Sequence, residues 1–413
     1  MPWHPDVDRS PEPQGRALVA QPAWGRSALA SAGLLLSSCA QPARPAPDFQ
    51  IAAPSIVHES LFPKAFAEVD KWIAQKAFPG AVLLVGQHGS IIAERAFGRI
   101  EVAEGAPPMP VDAIFDLASL TKVVATTTAA AILYDRHQLD LDAQVVRYLP
   151  EFGGTVGHDA ITVRHLLTHS SGLKSSGALW QHAKDRAGIL RQIHTMAVGA
   201  PAGTTYKYQD FNLILLGEIV ERISRQPLDS FLRKQVFAPL GMKDTGFNPR
   251  LSSRIVPTEQ DDTLRHMLVR GVVHDENAYL MGGVAGHAGL FATARDLARL
   301  AQLYLDGGAY GGRRIVRAET LKLFRTAQGI PAGSTRALGW DMPSANGWAG
   351  PLASPSAIIH TGFTGTSIYI DPDRDAYVIL LTNRVNPTRD NLLINQARPA
   401  IHTAVLEALD KGK

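Results

Sequence analysis

Apolar residues recur at helical spacing across residues 61–77, at Phe62, Phe66, Val69, Trp72 and Ile73, which predicts a helix ended by Phe78-Pro79-Gly80. Residues 81–85 and 90–97 then read as two strands, with His88-Gly89 between them as a hairpin turn. From Val123 to Leu133 the chain is uncharged and rich in alanine, the pattern of a buried helix starting near Ser119. Residues 120–280 stay mostly helical, with no convincing strand ladder. Within them, Asp210 or a neighbour is placed to cap an apolar helix that begins there. Thr293 and Asp296 can cap the next helix, Ala294–Leu305, which Gly307-Gly308 terminates. Strand character returns at Ile358–Thr361, 367–370 and 377–382, and a last helix is predicted over 399–409, with Pro399 in its first turn. The expected fold class is α+β: an antiparallel sheet flanked by helices, drawn from both ends of the chain, with a mostly helical region inserted.

Composition narrows the reading. Of 413 residues, 45% are hydrophobic and 19% charged, as in an ordinary globular protein. A net charge of +3 without a Lys/Arg run argues against a nucleic-acid partner. The single cysteine, Cys39, excludes an internal disulfide and a cysteine-based metal site. Residues 1–26 are proline-rich and carry Arg9, Arg16 and Arg26, and an uncharged stretch over 27–38 follows. That stretch is too short to span a bilayer as a mature helix and has the proportions of a signal peptide. It ends in Leu36-Ser37-Ser38-Cys39, which resembles the lipobox of bacterial lipoproteins, where the cysteine is lipidated and becomes the new N-terminus. The alternative is a cleaved signal peptide with an incidental cysteine. The expected division is a signal segment (1–39), a Pro/Ala-rich tether (40–57) and one domain (58–410). In that domain the sheet part falls at about 58–115 and 290–410, and the helical part at about 116–289. The expected location is exported, on the periplasmic face of a bacterial membrane, through a lipid anchor on Cys39.

Four stretches carry candidate chemistry. His165 and His169 stand four apart, but without H-E-x-x-H or a third ligand they read as structural histidines near a helix end. His274-Asp275-Glu276-Asn277-Ala278 reads as a loop network rather than a metal site. The glycine-rich 282–291 matches no phosphate-binding pattern. Neither a metal nor another cofactor is expected. The fourth is Ser119-Leu120-Thr121-Lys122, a Ser-x-x-Lys that puts both side chains on one helix face, one turn apart. A serine hydroxyl needs a nearby base to become a nucleophile, and a buried lysine can be neutral and serve. The first-turn N–H groups would point at an oxyanion formed there.

Ser119-x-x-Lys122, Tyr208-Gln209-Asp210 and His360-Thr361-Gly362 occur in the order and separation of the serine β-lactamase-like superfamily. The chain resembles class C β-lactamases, penicillin-binding proteins, D-alanyl-D-alanine carboxypeptidases and related esterases over about residues 60–405. The resemblance implies an acyl-enzyme on Ser119, with Lys122 accepting or relaying its proton and Tyr208 acting as base and then acid. It implies an oxyanion hole from the backbone N–H groups of Ser119 and Phe363. Asp210 would bond Lys122 or a substrate amide, while His360, Thr361 and Gly362 would line the substrate's carboxylate side. The family's usual Tyr-x-Asn is Tyr208-x-Asp210 here, and its Lys-Thr-Gly is His360-Thr361-Gly362. Both departures favour ester or D-alanyl-peptide substrates over β-lactams. The alternatives are a class C-like β-lactamase and a penicillin-binding receptor without turnover. The expected partners are a small-molecule or peptide acyl substrate and a membrane.

Overall fold

Along residues 81–85 successive side chains point to opposite faces of a sheet: Ala81, Leu83 and Val85 join one apolar core, Val82 and Leu84 another. Both faces are covered, so these strands read as unbroken apolar runs rather than as alternation. The computed structural model describes residues 60–174, 178–344 and 347–411. The signal segment, the tether and Cys39 lie outside the described residues.

In chain order the elements that build the site are α1 (Pro63–Ala74), β1 (Gly80–Gln87), β2 (Ser90–Gly98), β3 (Phe115–Asp116), α2 (Thr128–Asp135), α3 (Val163–Leu167) and α4 (Asp210–Ser224). There follow β4 (Gly246–Phe247), α5 (Glu276–Leu280), β5 (Leu290–Ala292), α6 (Ala294–Leu305), β6 (Ile358–Thr361), β7 (Ser367–Asp371), β8 (Ala376–Thr382) and α7 (Ile394–Lys411). A five-stranded sheet runs β6-β7-β8-β1-β2, with every neighbour antiparallel. A three-stranded sheet, β3-β5-β4, sits where the chain enters and leaves the helical region. The β1–β2 turn puts His88 at φ 51 and Gly89 at φ 75, the two positive values that a two-residue hairpin loop requires.

One face of the large sheet is covered by α1 and α7. There Phe66, Val69 and Trp72 pack with Ile401, Val405, Leu406, Leu83, Tyr369 and Val378. The opposite face, with Val82, Leu84, Ile368 and Ile379, packs against α6 and the helical region. Each fully buried side chain of this size contributes about 1.5–3 kcal/mol. No helix among the described residues is long and apolar enough to cross a membrane.

The last helix starts earlier than expected. Ala397 N donates to Leu393 O, so α7 begins at Ile394 and Pro399 falls inside it. The missing proline N–H removes one intrahelical bond, which the apolar packing of α7 on the sheet outweighs. The region 120–280 also holds short strands, β4 and the pair Gln260–Asp261 with Met267–Leu268. At two residues each they are too short to show periodicity in sequence.

Candidate active site

Ser119 sits, half-buried, between β3 and the helix that holds Lys122. The residue before it, Ala118, is at φ 46, a left-handed conformation that a non-glycine residue rarely adopts and that concentrates at functional sites. Asp116 holds it there. Ala118 N donates to Asp116 Oδ1 at 2.8 Å, and His274 N donates to Oδ2 at 2.7 Å. Burial pushes the Asp116 carboxyl up, and these two bonds act against that. Lys122 N donates to Ser119 O at 3.0 Å, and a π-type stretch, Lys122–Thr127, carries the chain into α2.

Lys122 is fully buried and its ammonium is fully engaged. Nζ donates to Ser119 Oγ at 2.8 Å, lies 2.7 Å from Asp210 Oδ1, and reaches His287 O at 3.4 Å. It stands 4.9 Å from the centroid of the Tyr208 ring. Burial alone would lower its pKa. The charge of Asp210, with hydrogen bonding from Asp210 and Tyr208, outweighs burial and raises it above the ordinary lysine value. The resting Lys122 is therefore an ammonium, not the neutral amine expected from burial alone. Asp210 is the first residue of α4 but caps nothing, because its carboxylate is spent on Lys122.

The loop before α4 brings Tyr208 against two histidines, with ring centroids 4.6 Å from His169 and 6.1 Å from His360. Gln209 N donates to His169 Nδ1 at 3.2 Å, so the neutral ring carries its proton on Nε2. Burial, then the charges of Arg336 and Lys122, pushes His169 well below the ordinary histidine value. The sequence placed His169 only as a structural residue at a helix end, and the structure puts it against Tyr208. Its neighbour His165 accepts from Thr162 N and completes a capping box on α3.

His360, Thr361 and Gly362 run along the end of β6, beside the Ser119 loop. A Cβ on Gly362 would fall 2.1 Å from Thr366 Oγ1 and 2.3 Å from Leu117 O, so only glycine allows this approach. Thr364 Oγ1 donates to Asp116 O and Thr366 Oγ1 to Leu117 O, at 2.7 and 3.0 Å. Phe363, in the turn between β6 and β7, is 47% exposed, open enough to meet a substrate. Among the described residues, neither Ser119 N–H nor Phe363 N–H has a hydrogen-bond acceptor in the protein. His360 Nδ1 faces Thr361 O at 2.9 Å and must donate. Burial, then Arg336 and Lys122, holds His360 well below the ordinary histidine value, so no cation stands at this position.

Two stretches that the sequence left aside converge under Lys122. Asp275 caps α5 through Ala278 N at 2.8 Å, and the same carboxylate oxygen takes His287 Nε2 at 2.8 Å. Burial raises Asp275, but His287 and the helix-end N–H outweigh it and pull it well below the usual range. Asp210, Asp275 and His287 offer ligand atoms within 4.8 Å of one another, a spacing that could hold a metal. The cation that this acidic group faces is Lys122's own ammonium, and His287 Nε2 is already spent on Asp275.

The Beta-lactamase family model matches residues 64–402 of this chain. The chain belongs to the beta-lactamase family. A provisionally named D-alanyl-D-alanine carboxypeptidase of Escherichia coli is 34% identical over 361 residues, covering 77% of this chain and 82% of that protein. An N-acetylmuramyl-L-alanine amidase of Bacillus subtilis is 34% identical over 360 residues, covering 78% and 81%. A penicillin-binding protein homolog from Caulobacter crescentus superposes with a TM-score of 0.69 at 21% identity, over 87% of this chain and 100% of that one. A hydrolase with promiscuous acyltransferase activity gives a TM-score of 0.69 at 23% identity, over 85% and 100%. These two likenesses establish the beta-lactamase/transpeptidase-like fold that this family member shares.

Proposed function

We propose that this protein is a serine hydrolase that transfers an acyl group from an ester or a cell-wall-type peptide to Ser119 and then to water. The observation that carries the reading is the contact set at Lys122 Nζ: Ser119 Oγ at 2.8 Å, Asp210 Oδ1 at 2.7 Å and the Tyr208 ring at 4.9 Å. A lysine already protonated cannot take the serine proton. In the reactive form Tyr208 is a phenolate beside the Lys122 ammonium: its oxygen takes the serine proton as Oγ bonds the acyl carbon, and it returns that proton to the leaving group as the bond to that group breaks. The unpartnered N–H groups of Ser119 and Phe363 receive the oxyanion. Water then releases the acyl group.

The neutral His360 supports the choice of substrate. A fixed cation there would favour any carboxylate-bearing donor, a β-lactam or a D-alanyl peptide alike, so its absence favours a neutral ester. An ester or peptide leaving group also diffuses away, whereas the amine of an opened β-lactam stays tethered and blocks water. The Escherichia coli and Bacillus subtilis relatives, named for a D-alanyl-D-alanine carboxypeptidase and an N-acetylmuramyl-L-alanine amidase, support peptide and muramyl amides as candidate substrates. The test compares kcat/KM for a p-nitrophenyl ester, a D-Ala-D-Ala peptide, an N-acetylmuramyl-L-alanine amide and a cephalosporin. The ester or one of the cell-wall amides should lead. Fastest turnover of the cephalosporin, without a long-lived acyl-enzyme, would overturn this ranking in favour of a β-lactamase.

A further inference from the structure

The turn between β6 and β7 is held from behind by two buried guanidinium groups. Arg398, on α7, donates through Nη2 to Gly362 O at 2.6 Å and to Thr366 O at 3.1 Å. Arg384 donates through Nε to Phe363 O at 2.7 Å, and its guanidinium lies 4.2 Å from the centroid of the Phe363 ring. Both arginines are buried, at 7% and 3% exposure, and among the described residues neither has a carboxylate within ion-pair distance. Arg398 Nε has no partner among the described residues. A buried cation without an anion is costly, and packing alone gives no reason to keep one.

The peptide chemistry supplies a reason. Gly362 O and Phe363 N belong to one peptide group, which is trans, since the cis bonds among the described residues are at Ile330-Pro331 and Asn386-Pro387. In a trans peptide the C=O and the N–H point in opposite directions. The carbonyl faces inward to Arg398, so the Phe363 N–H faces away from α7. It has no acceptor in the protein, and the turn abuts the Ser119 loop through Leu117. A charged donor on the carbonyl oxygen polarises the whole amide and makes its N–H a stronger donor. Gly365 N adds a second bond to the same oxygen at 3.1 Å.

We propose that Arg398 is a positioning residue for the acyl transfer, acting through the Gly362–Phe363 peptide to aim and strengthen the Phe363 N–H as an oxyanion donor. The inference rests on the acyl-enzyme reading above. Removing an oxyanion donor outright costs about 10²–10³-fold in kcat, and hydrogen-bond cooperativity is a fraction of that, so losing the Arg398 charge should lower kcat roughly 3- to 10-fold with KM unchanged.

The deciding readout is the carbonyl stretch of the Ser119 acyl-enzyme, formed with a carbonyl-13C-labelled p-nitrophenyl ester and recorded by difference infrared spectroscopy. In the wild type the band should lie below that of a free ester. In Arg398→Gln, which keeps a donor but loses the charge, it should move to higher wavenumber, and in Arg398→Lys it should return towards the wild-type position. A band that stays in place in both variants would refute the proposal, whatever happens to kcat. If Arg398→Gln does not fold, the neutral, similarly long Arg398→Met takes its place: a band moved to higher wavenumber supports the proposal and an unmoved band refutes it. A wild type that gives no acyl ester at all would instead overturn the acyl-enzyme reading, and this inference with it.

Discussion

At the residue scale, the site turns on where one proton sits. Lys122 and Asp210 form an ion pair in which the lysine is fully buried and the aspartate partly open. That pair holds the lysine as a cation, and in the proposed mechanism the proton moves through Tyr208. Tyr208→Phe removes only a hydroxyl, so Tm should be nearly unchanged while kcat falls about 10²–10⁴-fold, the usual contribution of a general acid–base group. Near-normal turnover in folded Tyr208→Phe would remove Tyr208 from the mechanism. Ser119, Lys122, Tyr208 and Asp210 were legible because their spacing matches a known pattern, and the structure brings them together. His169, Asp275, His287 and Arg398 were not. Each lies far in sequence from the residue it serves, and a buried histidine or arginine looks the same in sequence whether it backs a site or fills a core. The protonation of Lys122 was equally hidden, because it is decided by a charge 88 residues away at Asp210 rather than by burial.

At the element scale, two pieces of backbone must meet: the loop from Asp116 to Ser119 and the turn after β6. Thr364, Thr366 and Gly362 set their separation. Gly362→Ala would force a Cβ to within 2.3 Å of Leu117 O, so the turn must retreat from Ser119. We expect kcat/KM to fall about 10-fold or more, as a 1 Å misplacement near a reacting centre does, with a measurable drop in Tm. Unaltered kinetics in Gly362→Ala would show that this approach does not set the geometry. Most elements could be read from the chain because their signals are local. Thr293 accepts from Asp296 N at 3.2 Å and opens α6 where the capping pattern put it. The start of α7 could not be read, because proline's local preference lost to packing along the sheet.

At the scale of the whole molecule, buried neutral histidines couple stability to pH. Burial, with nearby cations, holds His169 and His360 well below the ordinary histidine value, and burial with Arg398 lowers His402 to about 3. In the unfolded chain these rings titrate near 6.5. Below that pH the unfolded state binds more protons than the folded one, so stability is full above about pH 6.5 and is lost as pH falls towards the folded values. Tm should therefore fall between about pH 7 and pH 5, and fall less in His402→Gln. Burial raises Glu259, but His274 and Arg389 outweigh it and lower it to about 2, so its contribution acts in the same direction only below its ordinary value of 4.5, and the His402→Gln comparison picks out the histidine part above it. Parallel Tm curves for the wild type and His402→Gln would contradict this account.

The central claim, acyl transfer through Ser119, is tested most directly by intact-mass spectrometry over time after mixing the protein with a slow ester donor. The account predicts that the wild type gains the mass of one acyl group and then loses it as water releases the product, with the adduct mapping to Ser119 and absent from Ser119→Ala. An ester or cell-wall amide hydrolysed at an equal rate by Ser119→Ala, or an adduct on another residue, would contradict it.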